Sequence, residues 1–181
     1  MKPKKSLGQN FLKSAPALRK IIEAGEISPD DIILEIGPGK GTLTGKLLGA
    51  GGKVIAVEKD RELFEFLKIK FIEQIKSNTL ILVCEDILEF NIAKLEIGNW
   101  KLRNYKVIAN IPYNITGAIL KKFLTEKNQP ERMVLMVQHE VAKRITTPGP
   151  SGTRRGGKNS LLSISVKAYG EPKMIRKVPA R

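Results

Sequence analysis

A short, mostly apolar run, IILEI at 32–36, leads directly into Gly37-Pro38-Gly39-Lys40-Gly41, and a segment with helix-spaced apolar residues, TLTGKLLG at 42–49, follows at once. Few local patterns restrict a fold so tightly. An apolar run bounded by glycines reads as a buried parallel strand, and a strand that turns into a helix within five residues needs a backbone free of side-chain collision. In open sheets of this kind ligands bind beyond the carboxyl ends of the strands. The glycine loop is therefore both a folding signal and a candidate ligand site.

The same alternation continues downstream. KVIAVE at 53–58 reads as a second strand, and RELFEFLKIKFIEQI at 61–75 as one helix with Leu63, Leu67, Phe71 and Ile75 on its buried face. Further strands are expected at 79–83, 106–109 and 132–137, and helices at 116–126 and 139–145. SLLSISVKAY at 160–169 fits a helix or a strand equally, and PKMIRKV at 172–178 reads as a late strand. Alternating strands and helices predict an α/β fold, a doubly wound and mainly parallel sheet. Its 181 residues suit a single domain, 1–181, with a basic N-terminal arm over 1–14. Residues 147–159 hold two Pro, four Gly and the basic side chains Arg154, Arg155 and Lys158, and read as a flexible basic loop that either contacts a polyanion or is disordered.

Thirty-two Lys and Arg against 18 Asp and Glu leave a net charge of +14. Thermophile surfaces rich in Lys usually balance it with Glu, which this chain does not, so nucleic acid is the expected partner. Lys4, Lys5, Arg144, Arg154, Arg155 and Lys158 are the candidate contacts. No run approaches the roughly 18 apolar residues of a membrane span, and the basic N-terminus lacks a signal peptide's apolar stretch. A soluble, cytoplasmic chain without a membrane partner is expected, and a monomer. One Cys and one His leave little room for a disulfide or a His-rich metal site, so no metal is expected.

The loop spacing is G-x-G-x-G, with Glu35 two residues before the first glycine, rather than the G-x-G-x-x-G of dinucleotide folds. This favours an adenosylmethionine-type loop of Glu35, Gly37, Gly39 and Gly41 over a nicotinamide cofactor. Glu58, 17 residues beyond Gly41, ends the second strand, where a carboxylate can accept from both ribose hydroxyls. Asp86 follows the third strand and either accepts from the cofactor's adenine amine or serves as a turn aspartate. After the fourth strand stands Asn110-Ile111-Pro112-Tyr113. An exocyclic amine is a poor nucleophile because its lone pair is delocalised. The Asn110 side-chain oxygen and a backbone carbonyl near Ile111 or Pro112 can bind its two hydrogens and aim the lone pair at an electrophilic methyl. Pro112 stiffens the turn, and Tyr113 offers a face on which a flipped base stacks.

These residues resemble the ribosomal small-subunit RNA adenine dimethyltransferase family, whose relatives include the erythromycin-resistance large-subunit enzymes. The likeness runs through SLGQNFL (6–12), LEIGPGKGTLT (34–44), VIAVEKD (54–60), EDIL (85–88), VIANIPYNIT (107–116), MVLMVQHEVAKRI (133–145) and KVPAR (177–181). It implies a Rossmann-like class I methyltransferase that uses S-adenosylmethionine and releases S-adenosylhomocysteine. Gln9, Asn10 and Leu12 would close over the cofactor, Gly37 and its neighbours hold its methionine end, Glu58 its ribose and Asp86 its adenine, while Asn110 and Tyr113 handle the target adenine. The substrate implied is small-subunit ribosomal RNA within an assembly intermediate, two adjacent adenines being dimethylated; QHEVAKRI resembles the small-subunit enzymes more than the resistance enzymes. Large-subunit RNA methylation and a non-catalytic assembly role are the alternatives. In the family an aromatic residue, a Pro-rich strand entry and a helical C-terminal domain follow the V-P segment, whereas this chain ends at Arg181, so a catalytic domain without the helical domain is expected.

Overall fold

Period-two alternation along the strands decides how this chain layers. A computed structural model describes residues 12, 14–29, 31–91, 100, 104–146 and 161–178. In chain order these residues form α1 (Ala15–Gly25), β1 (Ile32–Ile36), α2 (Thr42–Gly49), β2 (Lys53–Glu58), α3 (Arg61–Lys70), α4 (Ile72–Lys76), β3 (Leu80–Cys84) and β4 (Tyr105–Asn110). A 3-10 turn (Tyr113–Ile115), α5 (Thr116–Thr125), β5 (Arg132–Met136), α6 (His139–Thr146) and α7 (Leu161–Tyr169) complete them. The five strands are all parallel, in the order β3-β2-β1-β4-β5. Ile32, Leu34, Ile36, Ile55, Val57, Val107 and Ala109 face one side and pack on Ile119 and Phe123 of α5. Ile33, Val54, Ala56 and Ile108 face the other and meet Leu18 of α1, Leu43 and Leu47 of α2, and Leu67 of α3. Helices thus cover both faces, the expected doubly wound class, and each fully buried leucine such as Leu47 or Leu67 contributes about 1.5–3 kcal/mol.

The expected elements are present with ends shifted by a residue or so, and two expectations need correction. The helix expected over 61–75 breaks at Phe71, whose φ of −115° and ψ of 30° leave the helical region. Phe71 is nevertheless buried, so the inward face read from Leu63, Leu67 and Phe71 holds across the break. The late strand expected at 172–178 is absent: no described residue beyond Tyr169 lies in a strand. Five of those residues, Lys173 to Lys177, are exposed, and an extended segment without a ladder partner is not a strand. The ambiguous segment ending at Tyr169 is helical over its described part, Leu161–Tyr169.

At the amino ends of the strands, opposite the glycine loop, a buried cation ties three segments together. Lys106 is 6% exposed, and its Nζ donates to the Glu26 carbonyl and to Asp31 Oδ2, each at 2.7 Å. Beside it Arg132 donates to the Ala24 carbonyl at 3.1 Å and pairs with the Glu26 carboxylate at 3.1 and 2.7 Å. Glu26 itself ends α1 in the left-handed conformation, φ 44°. Burial on its own would raise the Asp31 pKa, but hydrogen bonds from Lys106 and Ser28 and the Lys106 charge outweigh it and hold the carboxyl below 3.8. A depressed folded value means that the pair's stabilisation is present above pH 3.8 and disappears as pH falls through the folded value. Removing one partner strands a buried charge, so Asp31→Ala should lower stability at neutral pH by about 3 kcal/mol. Urea unfolding of both proteins as a function of pH should show the difference shrinking below about pH 4.

Candidate active site

The strand order places the site. The chain winds outward from β1 through β2 to β3, then crosses to β4 on the other side of β1, and the loops leaving β1 and β4 therefore diverge. The cleft that opens there is lined by Glu35 to Lys40 from the glycine loop, Glu58 and Lys59 after β2, Glu85 to Ile87 after β3, and Asn110 and Pro112 after β4. Leu12 closes one side, and Asn114 and Ile115 another.

The glycine loop is shaped by positive φ at Gly37 (62°), Gly39 (59°) and Gly41 (71°), a region that L-residues with a Cβ avoid. At Gly41 a second constraint applies, because a Cβ would collide with the Phe71 ring and with Leu67. The break between α3 and α4 thus seats the ring that packs against the loop. Three further bonds hold it: Gly37 N–H to the Val57 carbonyl at 2.9 Å, Gly39 N–H to Glu58 Oε2 at 3.0 Å, and Lys70 Nζ to the Lys40 carbonyl at 2.6 Å.

Two buried carboxyls face this loop from neighbouring strands. Glu58, 5% exposed, accepts from Gly39 N–H through Oε2 and from Asp60 N–H through Oε1 at 2.9 Å. Desolvation pushes its pKa up, opposed by those backbone bonds. A carboxylate has about four acceptor positions, so these two bonds do not exhaust it. Glu35, 1% exposed, lies on the same sheet face, and burial, reinforced by the Glu58 charge, pushes its pKa up to about 8 against the pull of Thr44 and Lys70. Thr44 is near enough to favour the charged form, yet neither Glu35 Oε2 nor Thr44 Oγ1 has a partner at hydrogen-bond distance. An acid of this kind is stabilised by a cationic or donor-rich ligand.

Asp86 has the turn role that the sequence left open, and it also stands at the cleft. Its Oδ1 accepts from Leu88 N–H at 3.0 Å, making it a turn aspartate, while the residue lines the cleft and its Oδ2 lies 2.6 Å from Lys59 Nζ. Beyond β4, Ile111 is 2% exposed and sits in the core, so it leaves only its backbone to the site. The Pro112 carbonyl receives Ile115 N–H at 3.4 Å and the Thr116 hydroxyl at 3.5 Å, long contacts that close the turn beneath Tyr113. The Asn110 side-chain oxygen is buried at the cleft wall. Tyr113, half-buried, lines the neighbouring groove along β5, and Leu12 and Lys40 border both openings. Asn110 and Pro112 thus open onto the cleft and Tyr113 onto the adjoining groove.

A model of the ribosomal RNA adenine dimethylase family matches residues 1–181. The chain belongs to that family. Proteins named ribosomal RNA small subunit methyltransferase A are similar to it: 41% identical over 99% of this chain in Dehalococcoides mccartyi, covering 57% of that protein, and 42% over 98% in Moorella thermoacetica, covering 60%. The chain thus spans somewhat over half the length of these relatives. Among solved structures, a dimethyladenosine transferase from Plasmodium falciparum superposes with a TM-score of 0.69 at 31% identity, over 87% of this chain and 52% of the other. The 23S rRNA methyltransferase ErmE follows at 0.61 and 28%, over 76% and 51%.

Of the residues expected from the dimethylase motifs, Leu12, Glu35, Gly37, Gly39, Glu58, Asp86, Asn110 and Pro112 meet at one cleft, and Gly41 caps α2 directly behind it. Arg144 is exposed on α6. Gln9, Asn10, Lys4, Lys5, Arg154, Arg155 and Lys158 lie outside the described residues. Sequence reasoning missed Lys59, Thr44 and Lys70; of these only Lys59 carries a signal, its place beside Glu58 at a strand end. Because the folded pKa of Glu35 is raised, its stability contribution is fully present below pH 4.5 and is lost as pH rises through about 8. Glu35→Gln should therefore become progressively more stable than the parent protein between pH 4.5 and 8, by about 4 kcal/mol in ligand-free urea unfolding.

Proposed function

We propose that this chain is the catalytic domain, residues 1–181, of an enzyme that transfers methyl groups from S-adenosylmethionine to N6 of adenine in small-subunit ribosomal RNA, dimethylating two adjacent adenines. The observation that carries the reading is the convergence of Glu35, Glu58, Asp86 and Asn110, from the ends of four successive parallel strands, on one cleft. The residues present suit the cofactor. Glu35 Oε2, buried and without a partner, is matched to the ligand's ammonium and sulfonium charges, the spare acceptor positions of Glu58 to its ribose hydroxyls, and Asp86 to its adenine amine. Leu12, with Gln9 and Asn10 before it, covers the bound molecule, and Gly37, Gly39 and Gly41 hold the backbone out of its way.

The cofactor supplies an electrophilic sulfonium methyl. Asn110 Oδ1 accepts one hydrogen of the target amine and a backbone carbonyl at Ile111 or Pro112 the other, which localises the nitrogen lone pair. Burial of the Ile111 side chain and closure of the turn at Pro112 hold those acceptors in place. Tyr113, facing the adjoining groove, stacks on the flipped base and favours the positive charge that develops on N6. The basic arm with Lys4 and Lys5, Arg144 on α6, and the loop with Arg154, Arg155 and Lys158 neutralise RNA phosphates, and the protein acts as a cytoplasmic monomer on an assembly intermediate. The small-subunit relatives at 41–42% identity, against 28% for ErmE, rank this substrate above large-subunit RNA.

Mass spectrometry of adenine nucleosides after incubating the full chain with labelled cofactor and partly assembled small subunits should show dimethyladenosine. Asn110→Ala should lower the methylation rate by about 10²- to 10³-fold, the loss of one positioned hydrogen-bonding group. Unmodified RNA with the parent protein, or full turnover with the variant, would exclude the assignment. Neutralising Arg154, Arg155 and Lys158 together should reduce the salt slope of RNA binding by about 2–3, and an unchanged slope would remove that loop from the contact.

A further inference from the structure

Lys59 follows Glu58 at the end of β2, and strand alternation sends its side chain away from the face that holds Glu58, toward the end of β3. There its Nζ lies 2.6 Å from Asp86 Oδ2, with the lysine side chain 61% and the aspartate 22% exposed. The other carboxylate oxygen, Oδ1, accepts Leu88 N–H. Both oxygens of Asp86 are therefore engaged, and both residues of the pair line the cleft. The pairing is mutual: the Lys59 hydrogen bond holds Asp86 below the usual carboxylate range, and the Asp86 hydrogen bond holds Lys59 above the usual lysine value. Glu89 is the other acid near enough to act on Lys59.

We propose that Lys59 sets the purine selectivity of the cofactor cleft by pairing with Asp86 Oδ2, which weakens that carboxylate as an acceptor for a 6-amino purine and offers a donor to a 6-oxo purine. This rests on Asp86 being the residue that reads the cofactor's adenine. An amine that bonds to Oδ2 must share that oxygen with the Lys59 ammonium, whose charge weakens it as an acceptor and repels the amine hydrogens. A 6-oxo purine brings an acceptor and can take a hydrogen from the same ammonium without disturbing the pair. The lysine thereby weakens binding of the adenosyl ligand and narrows the gap between amino and oxo ligands. An exposed pair of this kind supports an effect of only a few fold on each ligand.

The test is calorimetric titration of the full chain with S-adenosylhomocysteine and with S-inosylhomocysteine, comparing the parent protein with Lys59→Met, Lys59→Arg and Asp86→Ala. Lys59→Met should bind the adenosyl ligand about two- to fivefold more tightly and the inosyl ligand more weakly, widening their affinity ratio by about tenfold. Lys59→Arg keeps the charge and should leave the ratio near that of the parent. Asp86→Ala should weaken the adenosyl ligand. If Asp86→Ala weakens it but Lys59→Met leaves the ratio unchanged, the role given to Lys59 is overturned while Asp86 still reads adenine. Unchanged adenosyl affinity in Asp86→Ala would overturn both.

Discussion

The bond from Gly39 N–H to Glu58 Oε2 is the contact around which the site is organised. It joins the glycine loop, which leaves β1, to the end of β2, and it uses a carboxylate that the sheet buries almost completely. A second bond, Asp60 N–H to Oε1, fixes the same group against the start of α3, where Asp60 caps the helix through Glu62 N–H. One side chain therefore sets the path of the loop, the orientation of the strand end and the entry of the next helix. Backbone amides stabilise the charged form of Glu58 while burial opposes it, and the position of that balance is set by how much water the cleft admits.

Packing behind the loop follows from the same requirement. Gly41 leaves room for the Phe71 ring, the ring lies where α3 gives way to α4, and Lys70 beside it reaches back to the Lys40 carbonyl. At the other end of the strands the charges are arranged differently. Lys106, Asp31, Arg132 and Glu26 neutralise one another in a closed network, whereas Glu35 and Glu58 lie on one sheet face of neighbouring strands, and among the described residues neither forms an ion pair. The first arrangement stabilises the fold. The second leaves unspent acceptor capacity for a ligand.

Much of this is legible from residue order. The strand at 32–36, the glycine spacing, Glu58 at the second strand end and Asp86 after the third each follow from short-range pattern, because burial on both sheet faces demands apolar runs and tight turns demand glycine. Less legible was anything decided between elements. The break at Phe71 leaves the apolar period intact and so has no signature in it. The segment at 172–178 has strand-like residues, but a strand is a relation between two backbones and no ladder partner joins it. Tyr113 stands three residues from Asn110 yet opens onto the adjoining groove, since the 3-10 turn that begins with it redirects the chain.

The sequence by itself determined the class of fold, the family and the chemical kinds of side chain at each strand end, because these depend on local periodicity and on motif spacing. Only the tertiary structure decided how those side chains share the cleft: that Glu35 is buried without a partner for Oε2, that Glu58 is already bonded to the loop, and that Asp86 is held by Lys59. Those are properties of distance and dielectric between strands far apart in the chain, and a residue's neighbours in sequence carry no information about either.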